Sequence, residues 1–442
     1  MFAMSRSIRI VVSTLFQDAG EATRALEIAR GLREECPPDF HLEMIMISHG
    51  SRFEEKFRQN GFAVEPVDPK LPGIGFKQDL KTTALQMVGD ETLAIEILRG
   101  EVAAFRRLQP DVVLHGFWPI AGIAAKIAKV PLEISYIPIP FEPRAFFTYL
   151  LEDVPDFLVP LTYLPQSFRK RVMAAIPKSM KLSAPMLRQD NLVKACSQCG
   201  GASLQVRNLF DMLKSDFTIV NDFPVFYEGK PLPENFAVTG PLFAPDQSEE
   251  GIDPEILEHF QRNTGKLKIF CTLGSSGNKE HLLEAIRALK TEEREWEAVI
   301  LCPAAVCPID EAKALVQGYA NLYVTDSFVP ALKVNGMADL VLSHGGQGTV
   351  QTAVACGTPI VGFAVQPEQQ VNLDHIAAFG AAVRLPSSHW KAEQIRRTVR
   401  KVAADPSYRE NMNRLKSILF TMDGKQEAAQ SLWNFIVSSG RR

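Results

Sequence analysis

The chain has 442 residues, 46% of them hydrophobic and 22% charged, with a formal net charge of −3 at pH 7. This length excludes a single core and points to two domains of roughly 200 residues each. The mild acidity and the lack of a long basic run argue against a general nucleic-acid binder. The seven cysteines are scattered, several inside apolar runs, which fits a reduced cytoplasm better than a disulfide framework. The opening M-F-A-M-S-R-S does not read as a signal peptide, and no stretch of eighteen apolar residues occurs. A cytoplasmic protein without a transmembrane segment is therefore expected.

In chain order, residues 8–12 (I-R-I-V-V) read as a buried strand, 13–21 as a polar loop and 22–34 as a helix with Ala25, Ile28, Ala29 and Leu32 on one face. Strands follow at 42–47, 62–67, 111–114 and 132–136, with helices at 51–59, 92–108 and 120–128 between them. Such alternation predicts a parallel, doubly wound sheet, whose ligands bind outside the carboxyl ends of the strands. Loop 13–21 and His115 lie at such ends. Residues 138–215, rich in proline and aromatics, break the rhythm. They suit the wall of an acceptor pocket or plain core packing. Their charges, Glu142, Arg144, Glu152, Asp153 and Asp156, argue against membrane embedding. Cys196-x-x-Cys199 has no second pair nearby, so no metal site is expected. After strands at 217–220 and 236–238, residues 240–252 have linker composition. A second alternating set follows, with strands at 268–273, 298–301 and 322–325 and a helix at 279–290. Helices at 392–404, 408–419 and 426–437 close the chain.

Residues 343–380 organise the second half. A short apolar run, 339–342, is broken by His344-Gly345-Gly346. A helical pattern begins at Thr349 and stops at Gly357, a strand spans 359–363, and a helix runs over 368–378. Glycines where a strand meets a helix N-terminus let backbone N–H groups face an anion. Thr349 adds a hydroxyl and His344 a ring nitrogen, so the stretch reads as a diphosphate cradle.

This stretch resembles the donor-binding signature of the UDP-glycosyltransferase superfamily, glycosyltransferase family 1, in its bacterial natural-product type. Three blocks carry the resemblance: His344-Gly345-Gly346-x-Gly348-Thr349, then Gly357-x-Pro359, then Glu368-Gln369-x-x-Asn372. The resemblance implies an α/β chain of the GT-B fold, two Rossmann-like doubly wound domains facing across a cleft. Residues 1–240 would bind the acceptor, 241–263 link, and 264–420 bind the donor. The final helix, within 421–442, would pack back on the first domain. The implied activity is transfer of a sugar from a UDP-sugar or dTDP-sugar to a small-molecule acceptor, with inversion and without metal or other cofactor.

Residue by residue, the resemblance implies that His344, Gly346, Gly348 and Thr349 meet the diphosphate. Gly274-Ser275 would form the other phosphate-side loop, and Phe328-Val329 would lie beside the base. Glu368 and Gln369 would bind sugar hydroxyls, although a first-turn acid and a helix cap would look the same. Two departures stand out. The family's basic histidine falls at Glu21, and its assisting aspartate falls at Gly116, beside His115. Either Glu21 or His115 then takes the acceptor's proton, or both are structural and an acidic acceptor needs little base. The glutamate that often holds both ribose hydroxyls falls at Thr352, which keeps dTDP-sugars in play. Other readings of the chain are a lipid-intermediate transferase, a GT-B epimerase, or a non-catalytic nucleotide-sugar-binding accessory protein. A lipid transferase should expose an apolar patch with basic neighbours, and Phe168-Arg169-Lys170-Arg171 is the one hint of it.

Overall fold

The computed structural model describes residues 6–15, 17–51, 53–156, 158–242, 252–262, 264–274, 277–327 and 329–439. The chain forms two compact units. The first comprises the chain up to Tyr149, Ile176–Leu242 and the chain from Asp423; the second comprises Leu150–Ala175 and the remainder up to Met422.

In the first unit, seven parallel strands are β1 (Arg6–Ser13), β2 (Phe40–Ser48), β3 (Ala63–Pro66), β4 (Val112–His115), β5 (Leu132–Ile137), β6 (Phe217–Val220) and β7 (Phe236–Val238). Their order is β3-β2-β1-β4-β5-β6-β7. The strands read as continuous apolar runs because helices cover both faces. Val11 and Val113 enter one core, and Ile10, Val12 and Leu114 the other. Helix α1 (Ala19–Glu34) starts where the Asp18 carboxylate accepts the N–H groups of Gly20 and Glu21 at 2.8 and 3.1 Å. The last helix, Gly424–Ser439, packs on α1, and the buried Trp433 indole donates to the Leu32 carbonyl at 3.0 Å.

The second unit holds β8 (Leu267–Thr272), β9 (Trp296–Leu301), β10 (Leu322–Thr325), β11 (Leu340–Ser343), β12 (Ile360–Gly362) and β13 (Ala382–Arg384). All are parallel, in the order β10-β9-β8-β11-β12-β13. Strand β13 is too short to read from the sequence. Helix Pro254–Gln261 stands where a linker was expected, with Ile256 and Phe260 buried.

The two sheets share one design. Strand order reverses between β1 and β4 in the first and between β8 and β11 in the second, which creates the crevices where α/β sheets bind ligands.

The proline-rich stretch divides between the units. In the first, Phe141 stacks on Phe210 at 4.2 Å and meets Phe117 and Phe146 edge-on at 5.0 and 5.3 Å. Leu150–Ala175, expected within 1–240, belongs instead to the second unit. Charge explains the attachment. Arg384, at the end of β13, donates to Asp153, Asp156 and Asp374 at 2.9, 2.5 and 2.6 Å, and Arg169 grips Asp153 with two hydrogen bonds of 2.8 and 2.6 Å.

Candidate functional site

The crevice of the second unit is built around a histidine. β11 ends at Ser343, whose hydroxyl accepts the Gly345 N–H at 3.0 Å, and the chain turns at Gly345 with φ of +81°. The His344 ring is 4% exposed and lies between two glycines. A Cβ on Gly274, after β8, would stand 2.5 Å from the ring's Cε1; one on Gly346 would stand 2.8 Å from it. These glycines are thus explained first by the imidazole. Beyond them, helix α2 (Gln347–Cys356) begins. Its N-terminal N–H groups lack intrahelical acceptors and suit an anion. A Cβ at Gly348 would meet nothing within 4 Å, and Thr349 is half-buried, so this turn offers open space. Ser275 and Phe328 lie outside the described residues. The Val329 side chain is buried in a small apolar cluster with Ile256, Phe260 and Val334.

Helix α3 (Pro367–Ala378) brings the third block to the same loop. Asn372 donates to the Gly345 carbonyl at 3.0 Å and to Glu368 at 2.5 Å, so it joins the glycine turn to the acid. Gln369 is 2% exposed; its Oε1 accepts the N–H groups of Val365 and Gln366 at 3.0 and 3.2 Å, closing a capping box. Its oxygen therefore holds the loop. At Thr352 the hydroxyl accepts from Asn335 at 3.1 Å and faces the Gly348 and Thr349 carbonyls at 3.0 Å, so it serves the helix.

The first unit's crevice holds Glu21, 5% exposed. Its Oε1 pairs with Arg24, and its Oε2 accepts from Thr14 at 3.1 Å and from the Phe117 N–H at 3.2 Å. The carboxylate rests on Gly116: a Cβ there would lie 1.8 Å from Oε2. Glu21 therefore fills the place that an aspartate at 116 would take, and the two departures from the family pattern compensate each other in space. The fully buried Tyr136 phenol stands nearby, its pKa pushed well up by burial and by the Glu21 charge.

His115 does not join this group. It is fully buried, with Nδ1 2.8 Å from the Gly116 carbonyl, and Nε2 3.2 Å from Glu133 and 3.4 Å from Ser215. Glu133 in turn accepts from Lys126 at 2.7 and 2.8 Å. An imidazole acting with Glu21, which the sequence left open, is thereby corrected: parallel strands alternate faces, and this ring points at the β5 side.

The sequence reading missed Arg24, whose position in α1 carried no motif. It also missed a buried group at the ends of β1 and β2. There Ser13 and Trp118 donate to Glu101 Oε1 at 3.0 and 2.6 Å, with His49 Nε2 3.6 Å away. His49 Nδ1 faces the Pro69 carbonyl at 3.2 Å. Cys196 and Cys199 turn their sulfurs to the backbone carbonyls of Gly201 and Ile95, and no metal-binding group of histidine, cysteine and acid side chains occurs among the described residues.

Residues 313–434 match the family described as Erythromycin biosynthesis protein CIII-like, C-terminal domain. A relative in Mycobacterium tuberculosis, a PGL/p-HBAD biosynthesis glycosyltransferase, is 27% identical over 327 residues, 72% of this chain and 70% of its own. Among solved structures, the glycotransferase of kitacinnamycin aligns over 98% of this chain and 99% of its own at a TM-score of 0.68 and 18% identity. Glycosyltransferase VinC in complex with dTDP aligns over 97% and 100% at 0.62 and 15%. With its two reversed parallel sheets of GT-B type and its signature loop at the second reversal, the chain is a glycosyltransferase, similar over its second unit to the natural-product members of the UDP-glycosyltransferases.

Proposed function

We infer that the chain transfers a sugar from a dTDP- or UDP-sugar to a small aromatic or apolar acceptor, with inversion at the anomeric carbon. The observation that carries this reading is the turn at Gly348–Thr349. It is the open start of a helix, reached from a loop whose other atoms are locked around His344. Developing charge on a leaving diphosphate is stabilised there by fixed N–H dipoles, which need no reorganisation during the reaction. Glu368, tied to that loop through Asn372, supplies a carboxylate for sugar hydroxyls.

Thr352 supports dTDP over UDP. A hydroxyl engaged with Asn335 and two helix carbonyls leaves no bidentate acceptor for a 2′,3′-diol. The dTDP in the VinC complex fits the same reading. On the acceptor side, Phe117, Phe141 and Phe147 are only half-buried and belong to the aromatic cluster beside Glu21. Flat apolar walls next to a carboxylate suit an acceptor with an aromatic or apolar body and one hydroxyl. Glu21 is assigned to take its proton, with Oε2 held by Thr14 and the Phe117 N–H.

Calorimetry with dTDP, UDP and GDP tests the donor half. Binding of dTDP at least as tight as UDP, with GDP silent, is expected. Failure of all three to bind would remove the cradle reading, and binding without turnover of any dTDP- or UDP-sugar would favour an accessory protein.

A further inference from the structure

Residues 158–175 contain Arg169, Lys170 and Arg171 and no aspartate or glutamate, in a protein of net charge −3. The structure sorts these charges. Arg169 is buried against Asp153, and Lys170 pairs at the surface with Glu152 at 2.7 Å. Arg171 is exposed.

The acids that argued against a membrane are also sorted. Asp153 and Asp156 are buried against Arg384, and Glu142 caps the N–H of Ala145 at 2.9 Å. Of the acids within Leu150–Ala175, Glu152 remains at the surface, on Lys170.

Large apolar side chains also face solvent on Leu150–Ala175. Tyr163 is 66% exposed and Phe168 50%, and Leu158 and Val159 are also exposed, within eleven residues of chain. Single exposed apolar residues are ordinary, but four large ones together mark an interaction surface. Frayed packing does not explain them. Thr162 meets Ser388 at 2.5 Å, the Arg169 guanidinium donates to the Thr162 carbonyl at 3.0 Å, and Gln370 donates to the Val154 carbonyl at 3.2 Å. A segment anchored this firmly from beneath still leaves its aromatic side chains outside.

We propose that Leu158–Ala175 is an interfacial segment that seats the enzyme on an anionic lipid surface. Leu158, Val159, Tyr163 and Phe168 enter the headgroup region, and Arg171 faces the lipid phosphates. The charge selects this occupant. An acid-free segment that carries the exposed Arg171 among exposed apolar side chains complements anionic headgroups, whereas a second copy would bring a like charge against it. The attachment is peripheral, as no described helix is long and apolar enough to cross a membrane. It is independent of the sugar chemistry.

The test is flotation of the full-length protein with phosphatidylglycerol–phosphatidylcholine vesicles and with phosphatidylcholine alone. Binding to the anionic vesicles, weakening with salt, is expected. Tyr163→Ser with Phe168→Ser should weaken it at least tenfold, and Arg171→Ala about fivefold. Calorimetric nucleotide binding of each variant should stay unchanged and reports that it is folded. The proposal is overturned by equal flotation of wild type and the double serine variant, or by no flotation at all. Sedimentation showing a self-association that the double variant abolishes, without vesicle binding, would assign the face to a second copy and overturn it too.

Discussion

The two crevices solve the same packing problem with different materials. In each, a bare glycine at a strand end makes room for a side chain from elsewhere. Gly274 and Gly346 admit the His344 ring, while Gly116 admits the Glu21 carboxylate. The second-unit crevice opens to solvent at Gly348; the first-unit carboxylate is held by Arg24, Thr14 and the Phe117 N–H. A cradle made of backbone must keep its glycines and therefore leaves a motif. A cluster made of side chains can exchange partners across space and leaves none.

The largest expected effect is on the chemical step. Glu21→Gln keeps an oxygen for Thr14 and the Phe117 N–H but removes the base. Turnover per folded molecule should fall about 10²- to 10⁴-fold, roughly 3–5 kcal/mol of barrier. Calorimetric dTDP affinity should not change. Turnover near wild type would show that the acceptor needs no base and that Glu21 serves packing alone.

The second crevice should respond in the opposite way. Gly346→Ala sets a methyl 2.8 Å from the His344 ring and forces it to move. Nucleotide affinity should drop about ten- to hundredfold, or ~1.4–2.7 kcal/mol, with about 1–3 kcal/mol of folding stability lost to overpacking. Gly348→Ala meets nothing within 4 Å. It should weaken the nucleotide while leaving the melting temperature unchanged or raised, because alanine favours a helix. A melting temperature lowered equally by both would mean that the loop is tuned for packing and not for a ligand.

An exchange tests whether Glu21 and Gly116 compensate. Gly116→Ala alone drives a Cβ into Glu21 and should lose most activity. The pair Glu21→His with Gly116→Asp restores the family's two side chains. It should be at least about tenfold more active than either single change, since contacting residues couple non-additively. Strict additivity would break the spatial argument.

The sequence made the alternation of strands and helices legible, and with it the reversed sheets, because continuous apolar strands and one-faced helices obey simple periods. The turn at 344–349 was legible for the same local reason. The roles of Gln369 and Gly346 were only half legible: the cap that Gln369 makes was one of two readings of its place, and the ring that Gly346 clears is set by the direction of the His344 side chain, which no local pattern gives. The partners of His115 were not legible because a strand residue's face is set by sheet register. Leu150–Ala175 was placed in the wrong unit because its anchor, Arg384, lies more than two hundred residues away.

That anchor gives the smallest effect and the clearest sign. Where the first crevice pairs one arginine with one carboxylate, Arg384 faces three. Burial pushes the Asp156 carboxyl above the usual range; Arg384 opposes this, while Asp374 and Asp153 add to it. Burial also works on Asp153, but Arg169 and Arg384 win and hold it low. The raised group binds its proton more readily folded than unfolded. Its contribution to stability is thus full below the ordinary carboxylate value near 4 and declines as pH rises through the raised one. The lowered group has the opposite sign: its contribution is full above that ordinary value and is lost as pH falls through its own. Asp156 Oδ1 takes Arg384, whereas Oδ2 is buried without a hydrogen-bond partner, so a proton or an amide is tolerated there. Asp156→Asn should therefore flatten the decline in melting temperature above about pH 4 and change stability at neutral pH by only about 1 kcal/mol. Thermal unfolding across that range would show it. An unchanged slope would mean that the three carboxylates are balanced by Arg384 and Arg169 alone.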